Sequence, residues 1–172
     1  MNYFEFYNIP VSFNPNQVEI KKLFYEYSKT YHPDFHTDSS ELTKEERLQK
    51  SAFNNEAYKT LKNFDKRLKY VLEIKEVIKP TDKDNIPQDF LIEMMDINER
   101  IMEVQFDFNE KQHEQILGEI KQFEDQLTDS VDGLLDKSEH SPEELNTVKS
   151  YYYKRKYLKR IQENLEKLST QN

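Results

Sequence analysis

Tyr31-His32-Pro33-Asp34 closes one strongly helical pattern and precedes another, and the architecture follows outward from those four residues. Upstream, Ile20, Leu23, Phe24, Tyr27 and Tyr31 recur at the three- and four-residue spacing of a single helical face. Pro33 stops that helix, because it has no donor N–H and biases the residue before it away from helical geometry. Downstream, Thr43-Lys44-Glu45-Glu46 is a capping box that starts a second helix, running to about Asn63. The sequence thus predicts a histidine and an aspartate on either side of a proline, forming a rigid polar tip between two helices. Such a tip is a contact device.

The chain has 172 residues, enough for one domain or two small ones. Apolar residues make up 35% and charged residues 34%, with only two glycines, which favours helices over loop-rich or all-β architectures. Without cysteine there are no disulfides and no thiol catalysis, and a reducing compartment is expected. Met1-Asn2-Tyr3-Phe4-Glu5 has neither the basic nor the apolar region of a signal peptide. No apolar run approaches the roughly 18–20 residues of a membrane span, so a soluble, cytoplasmic protein is expected.

The net charge of −8 is unevenly spread. Residues 1–75 hold 12 Lys and Arg against 11 Asp and Glu, whereas residues 76–172 hold 13 against 22. The acidic half argues against a nucleic-acid binder, which needs clustered cations for phosphate contacts. The shift also divides the chain into residues 1–75, a linker at 76–87 and a second unit at 88–172. Lys79-Pro80-Thr81-Asp82-Lys83-Asp84-Asn85-Ile86-Pro87, without periodicity and containing two prolines, forms most of the connector.

In the first unit, Tyr3, Phe4, Phe6, Tyr7 and Ile9 form an aromatic cluster ahead of Pro10, expected as a short helix plugging a small core. Asn14-Pro15-Asn16-Gln17 offers an N-cap at Asn14, a proline at the first helical position and Gln17 at the third. On the second long helix Phe53, Ala57, Leu61 and Phe64 make the inward stripe. Leu68, Val71 and Leu72 do the same in a shorter segment from Asp65 to about Ile74. The expected unit is a hairpin of two longer helices with short helices at both ends.

His32-Pro33-Asp34 after a helix ending in tyrosine, followed by Asn55-Glu56-Ala57-Tyr58 and Leu61, resembles a J-domain. Tyr3-Phe4, Arg67 and Tyr70 fit the same family. The resemblance implies docking onto an ATP-bound heat-shock chaperone of the DnaK type and stimulation of its ATPase. It assigns the contact to His32, Pro33 and Asp34, with Lys21, Lys22 and Lys29 as the matching cations of the preceding helix. Glu26 and Thr30 stand where generalist J-domains often carry bases. A rival reading takes His32, Asp34, His36 and Asp38 as ligands of a divalent metal in a regulatory protein.

The second unit begins with Phe90, Met94, Ile97, Ile101, Val104 and Phe108, a seam stepping alternately by four and three. Beside it runs a second set, Leu91, Ile92, Met95, Met102 and Phe106, offset by about 100° around a helix. Of that set, Met102 and Phe106 are expected inside. Ile116, Leu117, Ile120, Phe123, Leu127, Val131 and Leu134 mark a second helix ending near Leu135 to Lys137. Ser141-Pro142-Glu143-Glu144 starts the last, which presents Leu145, Val148, Leu158, Ile161, Leu165 and Leu168. Tyr151-Tyr152-Tyr153 must point several ways, so at least one ring is expected in solvent. Residues 89–136 hold 14 acids against 3 bases, whereas 149–160 hold 6 bases and no acid, which favours antiparallel pairing. Three helices close a bundle and leave Leu91, Ile92 and Met95 as exposed apolar surface for a protein partner, the alternative being that they pack against the first unit or a second copy of the chain.

Phe90-Leu91-Ile92-Glu93-Met94-Met95-Asp96-Ile97, together with the N-terminal residues, the His-Pro-Asp unit and the spacing of Arg67, Tyr70 and Leu72, resembles the HscB family over nearly the whole chain. These are the J-domain co-chaperones of iron–sulfur cluster assembly, and the eukaryotic cysteine pairs are absent, as in bacterial forms. The resemblance implies an all-α protein, an N-terminal J-domain hairpin followed by a C-terminal three-helix bundle. It further implies that the bundle binds the scaffold IscU through Leu91, Ile92, Met95, Asp96 and Glu99, with Tyr153 facing them. Tyr153 replaces a more usual Phe, and Asn98 stands where an Arg can occur. The expected protein is a co-chaperone that delivers IscU to an HscA/DnaK-type chaperone, without enzymatic activity, cofactor, nucleic acid or membrane partner. A J-protein for a different client is the near alternative.

Overall fold

The computed structural model describes residues 1–32, 42–82 and 85–169. The described residues form helices without strands, and the chain separates into two compact units, Met1–Ile74 and Lys75–Asn172.

The first unit starts with α1 (Tyr3–Phe6), whose Asn2 and Glu5 make a reciprocal capping box. Phe4 is fully buried, and Tyr3 stacks on Tyr70 at 4.6 Å while its amide donates to the Tyr70 hydroxyl at 3.0 Å. Helix α2 (Gln17–Tyr31) begins two residues later than its sequence suggests. Asn16, not Asn14, is the cap, its Oδ1 accepting from the amides of Val18 and Glu19 at 3.0 and 3.2 Å. The Gln17 side chain meanwhile folds back, its Nε2 donating to the Pro15 carbonyl at 3.2 Å, and Pro15 lies in the approach rather than in the helix.

Helix α3 (Lys44–Lys62) carries the Thr43–Glu46 capping box expected from sequence. Those hydrogen bonds hold the Glu46 carboxyl below its ordinary range. Helices α2 and α3 pack as a hairpin with Phe24 stacked on Tyr58 at 4.1 Å. Helix α4 (Phe64–Ile74) then buries Leu68, Val71 and Leu72 against them. Each such side chain contributes about 2 kcal/mol by leaving water.

Buried polar groups specify this small core. Tyr7 donates to Asn54 Oδ1 at 2.7 Å, and Asn54 Nδ2 donates to the Phe24 carbonyl and to Ser28 Oγ, both at 3.1 Å. Burial pushes the Tyr7 phenol far above the ordinary tyrosine range, so it stays a donor at any physiological pH. Arg67, also buried, donates to the carbonyls of Phe13 at 2.8 Å and Leu61 at 2.6 Å, and desolvation lowers its guanidinium from the usual value. Arg67 thus ties the loop before α2 to the end of α3.

The second unit has three arms. The first is not one helix but two, α5 (Gln88–Glu93) and α6 (Met95–Phe106), separated at Met94. There the amide of Met94 points at both the Phe90 and Ile92 carbonyls, the tightened last turn of α5. Phe90, Met94, Ile97, Ile101 and Val104 all stay buried across the break. Helix α7 (Glu110–Asp129) ends earlier than its hydrophobic pattern suggests. Ser130 bonds back into the last turn, and turns continue past Gly133 at φ +71°, a conformation open to glycine. Val131 is nevertheless fully buried, so the pattern outlives the helix.

Helix α8 (Pro142–Ser169) starts at Ser141, which exchanges capping bonds with Glu144 at 2.8 and 3.2 Å. Ile116 and Ile120 of α7 and Tyr157, Leu158, Ile161 and Leu165 of α8 complete the core. All three rings of Tyr151, Tyr152 and Tyr153 are buried, against the expectation that one would face solvent. A run spanning 200° of a helix can be covered when neighbours close more than one side.

Arm-to-arm polar links complete the bundle. Arg100 donates from one nitrogen to both Glu119 oxygens at 2.7 and 3.0 Å, and that carboxylate raises its pKa further. Asn98 Nδ2 donates to the Tyr157 hydroxyl at 2.6 Å, and buried His113 donates from Nε2 to the Leu165 carbonyl at 2.8 Å. No helix among the described residues is long and apolar enough to cross a membrane.

Two candidate interaction faces

The first face lies on α2. Lys21, Lys22 and Lys29 are exposed, and the helical spacing sets them within about 100° of one another around the axis. Tyr25 and Val18, 55% and 80% exposed, stand in the same sector. Lys22 is drawn to Glu26 at 3.7 Å, so the acid at that position removes part of one cation's reach. Thr30 turns its hydroxyl back to the Glu26 carbonyl at 2.9 Å. The face is therefore cationic but mixed, two lysines flanking an aromatic ring and a third lysine compensated.

His32 closes this helix. It is exposed, and its φ of −69° and ψ of 130° are the extended geometry demanded of a residue before proline. Tyr31 beside it is held between Phe6, at 6.2 Å, and the Lys50 ammonium, 5.3 Å over its ring. That clamp aims the chain as it leaves the helix. Pro33 and Asp34 lie outside the described residues, as do His36 and Asp38 of the alternative metal set. Among the described residues no three His, Asp or Glu side chains gather to hold a metal ion.

The second face lies on α5 and α6. Leu91, Ile92 and Met95 are 38%, 63% and 66% exposed, with the Asp96 and Glu99 carboxylates in solvent beside them. The same α6 side chains that alternate with this face, Ile97, Ile101 and Val104, are buried, so the bundle is sealed without it. Tyr153 differs from the other five. It is 4% exposed, its ring 5.1 Å from that of Tyr152, and it borders a pocket shared with Ile86, Lys156, Tyr157 and Arg160.

With that geometry in hand, comparisons with known proteins are informative. Residues 86–166 match the model of the HSCB C-terminal oligomerisation domain. Co-chaperone protein HscB homolog of Colwellia psychrerythraea is 35% identical over 105 residues, 60% of each chain. The homolog of Acinetobacter baylyi is 27% identical over 99% of this chain and 92% of its own. Among solved structures, human co-chaperone HscB matches with a TM-score of 0.72 and 26% identity, covering 96% of this chain and 81% of that one. The fold is also that of chaperone HscB from Vibrio cholerae, with a TM-score of 0.71 and 23% identity over 99% of both. The C-terminal part of the chain thus matches an HscB domain, and the chain as a whole is similar to HscB co-chaperones in sequence and in fold.

As in the HscB structures it matches, an N-terminal J-like domain precedes a C-terminal helical bundle. The relatives it resembles are named co-chaperones rather than enzymes.

Three side chains of these faces stand in solvent without a local signal for it. Met102 and Phe106, expected inside, are 69% and 95% exposed. Their stripe is as apolar as the buried one, and only the arrival of α7 and α8 on the other side decides between them. Tyr25 was overlooked for the opposite reason: an aromatic ring between lysines reads as ordinary surface until its exposure is known.

Proposed function

We propose that this chain carries an IscU-type iron–sulfur scaffold to an HscA/DnaK-type heat-shock chaperone and stimulates that chaperone's ATPase, in the cytoplasm, assisting cluster assembly and protein maturation. The observation that carries the reading is the exposed Leu91–Ile92–Met95 patch with Asp96 and Glu99 at its rim. Apolar side chains left in water by a bundle that closes without them make a client surface. Asp96 and Glu99 then set orientation more than affinity, as rim charges do. Tyr153, buried, offers little surface for a direct contact.

At the other face, His32, Pro33 and Asp34 press on the chaperone while Lys21, Lys22 and Lys29 meet an acidic surface. The exposed, extended His32 at the helix end suits that role, and Tyr25 adds apolar area between the cations. Carrying both faces on one chain raises the client's effective concentration at the chaperone to ~mM when both are engaged together. The chain itself performs no chemistry; it shifts the chaperone toward hydrolysis and brings the client that hydrolysis locks in place.

The test is chaperone ATPase, measured with this protein and with and without the scaffold. Synergy that needs both His32 and the Leu91 patch supports the reading. Stimulation by the protein alone with no response to the scaffold would point to a different client.

A further inference from the structure

Helix α6 holds more exposed apolar surface than that patch uses. Met95, Met102 and Phe106 are spaced by seven and four residues, which puts them within about 40° of each other around the helix, in one row about 16 Å long. Among the described residues Phe106 is the most exposed of the large apolar side chains, at 95%. Along one edge of the row stand the carboxylates of Asp96, Glu99 and Glu103, all on exposed residues; the opposite edge carries the uncharged Asn98 and Gln105. Arg100 does little to neutralise the acidic edge: it lies 3.5 Å from Asp96 but 2.7 Å from Glu119, which holds it toward α7. Glu103 accepts a hydrogen bond from the neutral side chain of Gln112 at 3.0 Å.

We propose that Met95, Met102 and Phe106 form a second half of the client site, extending the patch of the preceding section two turns along α6, and that its occupant is a basic amphipathic helix of the scaffold client. This rests on that reading and specifies the client's chemistry. A straight row on a helix is complementary to a helix laid alongside it, with apolar anchors one and two turns apart. The one-sided acidic edge requires lysines or arginines along one flank of that helix and so fixes its direction. Two methionines give a surface that adapts to aliphatic or aromatic anchors alike. A second copy of this chain is the poorer occupant, because residues 89–136 hold 14 acids against 3 bases and would repel their like.

The experiment is calorimetric titration of the full chain with purified IscU-type scaffold, alongside analytical ultracentrifugation of the chain alone. Removing two anchors with M102Q/F106S weakens scaffold binding about ten- to hundredfold. E99Q/E103Q weakens it less and flattens its salt dependence, because the rim acts through charge. Helicity and melting stay those of the parent, since all four side chains are exposed. If M102Q/F106S binds normally while Leu91→Ala with Ile92→Ala does not, the extension is wrong and the client patch stands. Should the parent chain bind no scaffold at all, both readings fall. Self-association that M102Q/F106S abolishes would assign the row to a second copy and overturn the proposal.

Discussion

The two units hold their working surfaces in place by different means. In the N-terminal unit, buried polar groups do the specifying: Tyr7, Asn54 and Ser28 link α2 to α3, and Arg67 clips two carbonyls from separate segments. The C-terminal bundle relies on an apolar seam, with its polar links nearer the margins at Arg100–Glu119 and Asn98–Tyr157. A polar network has one satisfied arrangement, so it fixes a tip accurately but collapses when a member is lost. An apolar seam needs only volume, which leaves the solvent side of the same helix open for change. The contrast teaches that surface substitutions should separate function from stability cleanly in the bundle, while core substitutions in the first unit should not.

The largest effect expected is on the tip. His32→Gln keeps size, polarity and an extended backbone, and should reduce ATPase stimulation to the unstimulated rate while scaffold affinity holds; loss of both in parallel titrations would mean that the faces are not separable. Next comes Arg67→Met. It leaves the Phe13 and Leu61 carbonyls unpaired and should cost about 3 kcal/mol in urea unfolding. A change under about 0.5 kcal/mol would show that the network is dispensable and erase the contrast between the units.

Leu91→Ala, Ile92→Ala and Met95→Ala together should weaken scaffold binding about thirty- to hundredfold with the melting midpoint nearly unmoved, since exposed groups give up little on truncation. A collapsed melting curve would place these side chains in the core after all. The smallest effect sharpens the first face. Glu26→Gln releases Lys22 from its 3.7 Å partner and should tighten chaperone docking about two- to threefold at low salt, an advantage that vanishes as salt is raised. Unchanged affinity at every ionic strength would remove Lys22 from the contact.

Much of this was legible before any coordinates. The Thr43–Glu46 and Ser141–Glu144 boxes start their helices where read, because a cap depends on residues three apart and on nothing distant. The Phe90–Val104 seam and the second apolar stripe through Leu91, Ile92 and Met95 were likewise present in the spacing. Asn16 rather than Asn14 is the cap: two identical side chains flank Pro15, and only the one at 16 reaches the amides of Val18 and Glu19. Asn54 gave no local sign of its role; its partners lie 47, 30 and 26 residues away.

By itself, then, the chain's order of residues determined where the boxed helices α3 and α8 begin, how many arms there are and which stripes are apolar, since those follow from contacts within a turn or two. Only the tertiary structure decided which of two adjoining stripes on α6 is dry, that all three consecutive tyrosines are buried, and that the first arm breaks at Met94. Burial is settled by elements far away in sequence: a side chain faces water or a neighbour according to what arrives beside it, and periodicity carries no record of that arrival.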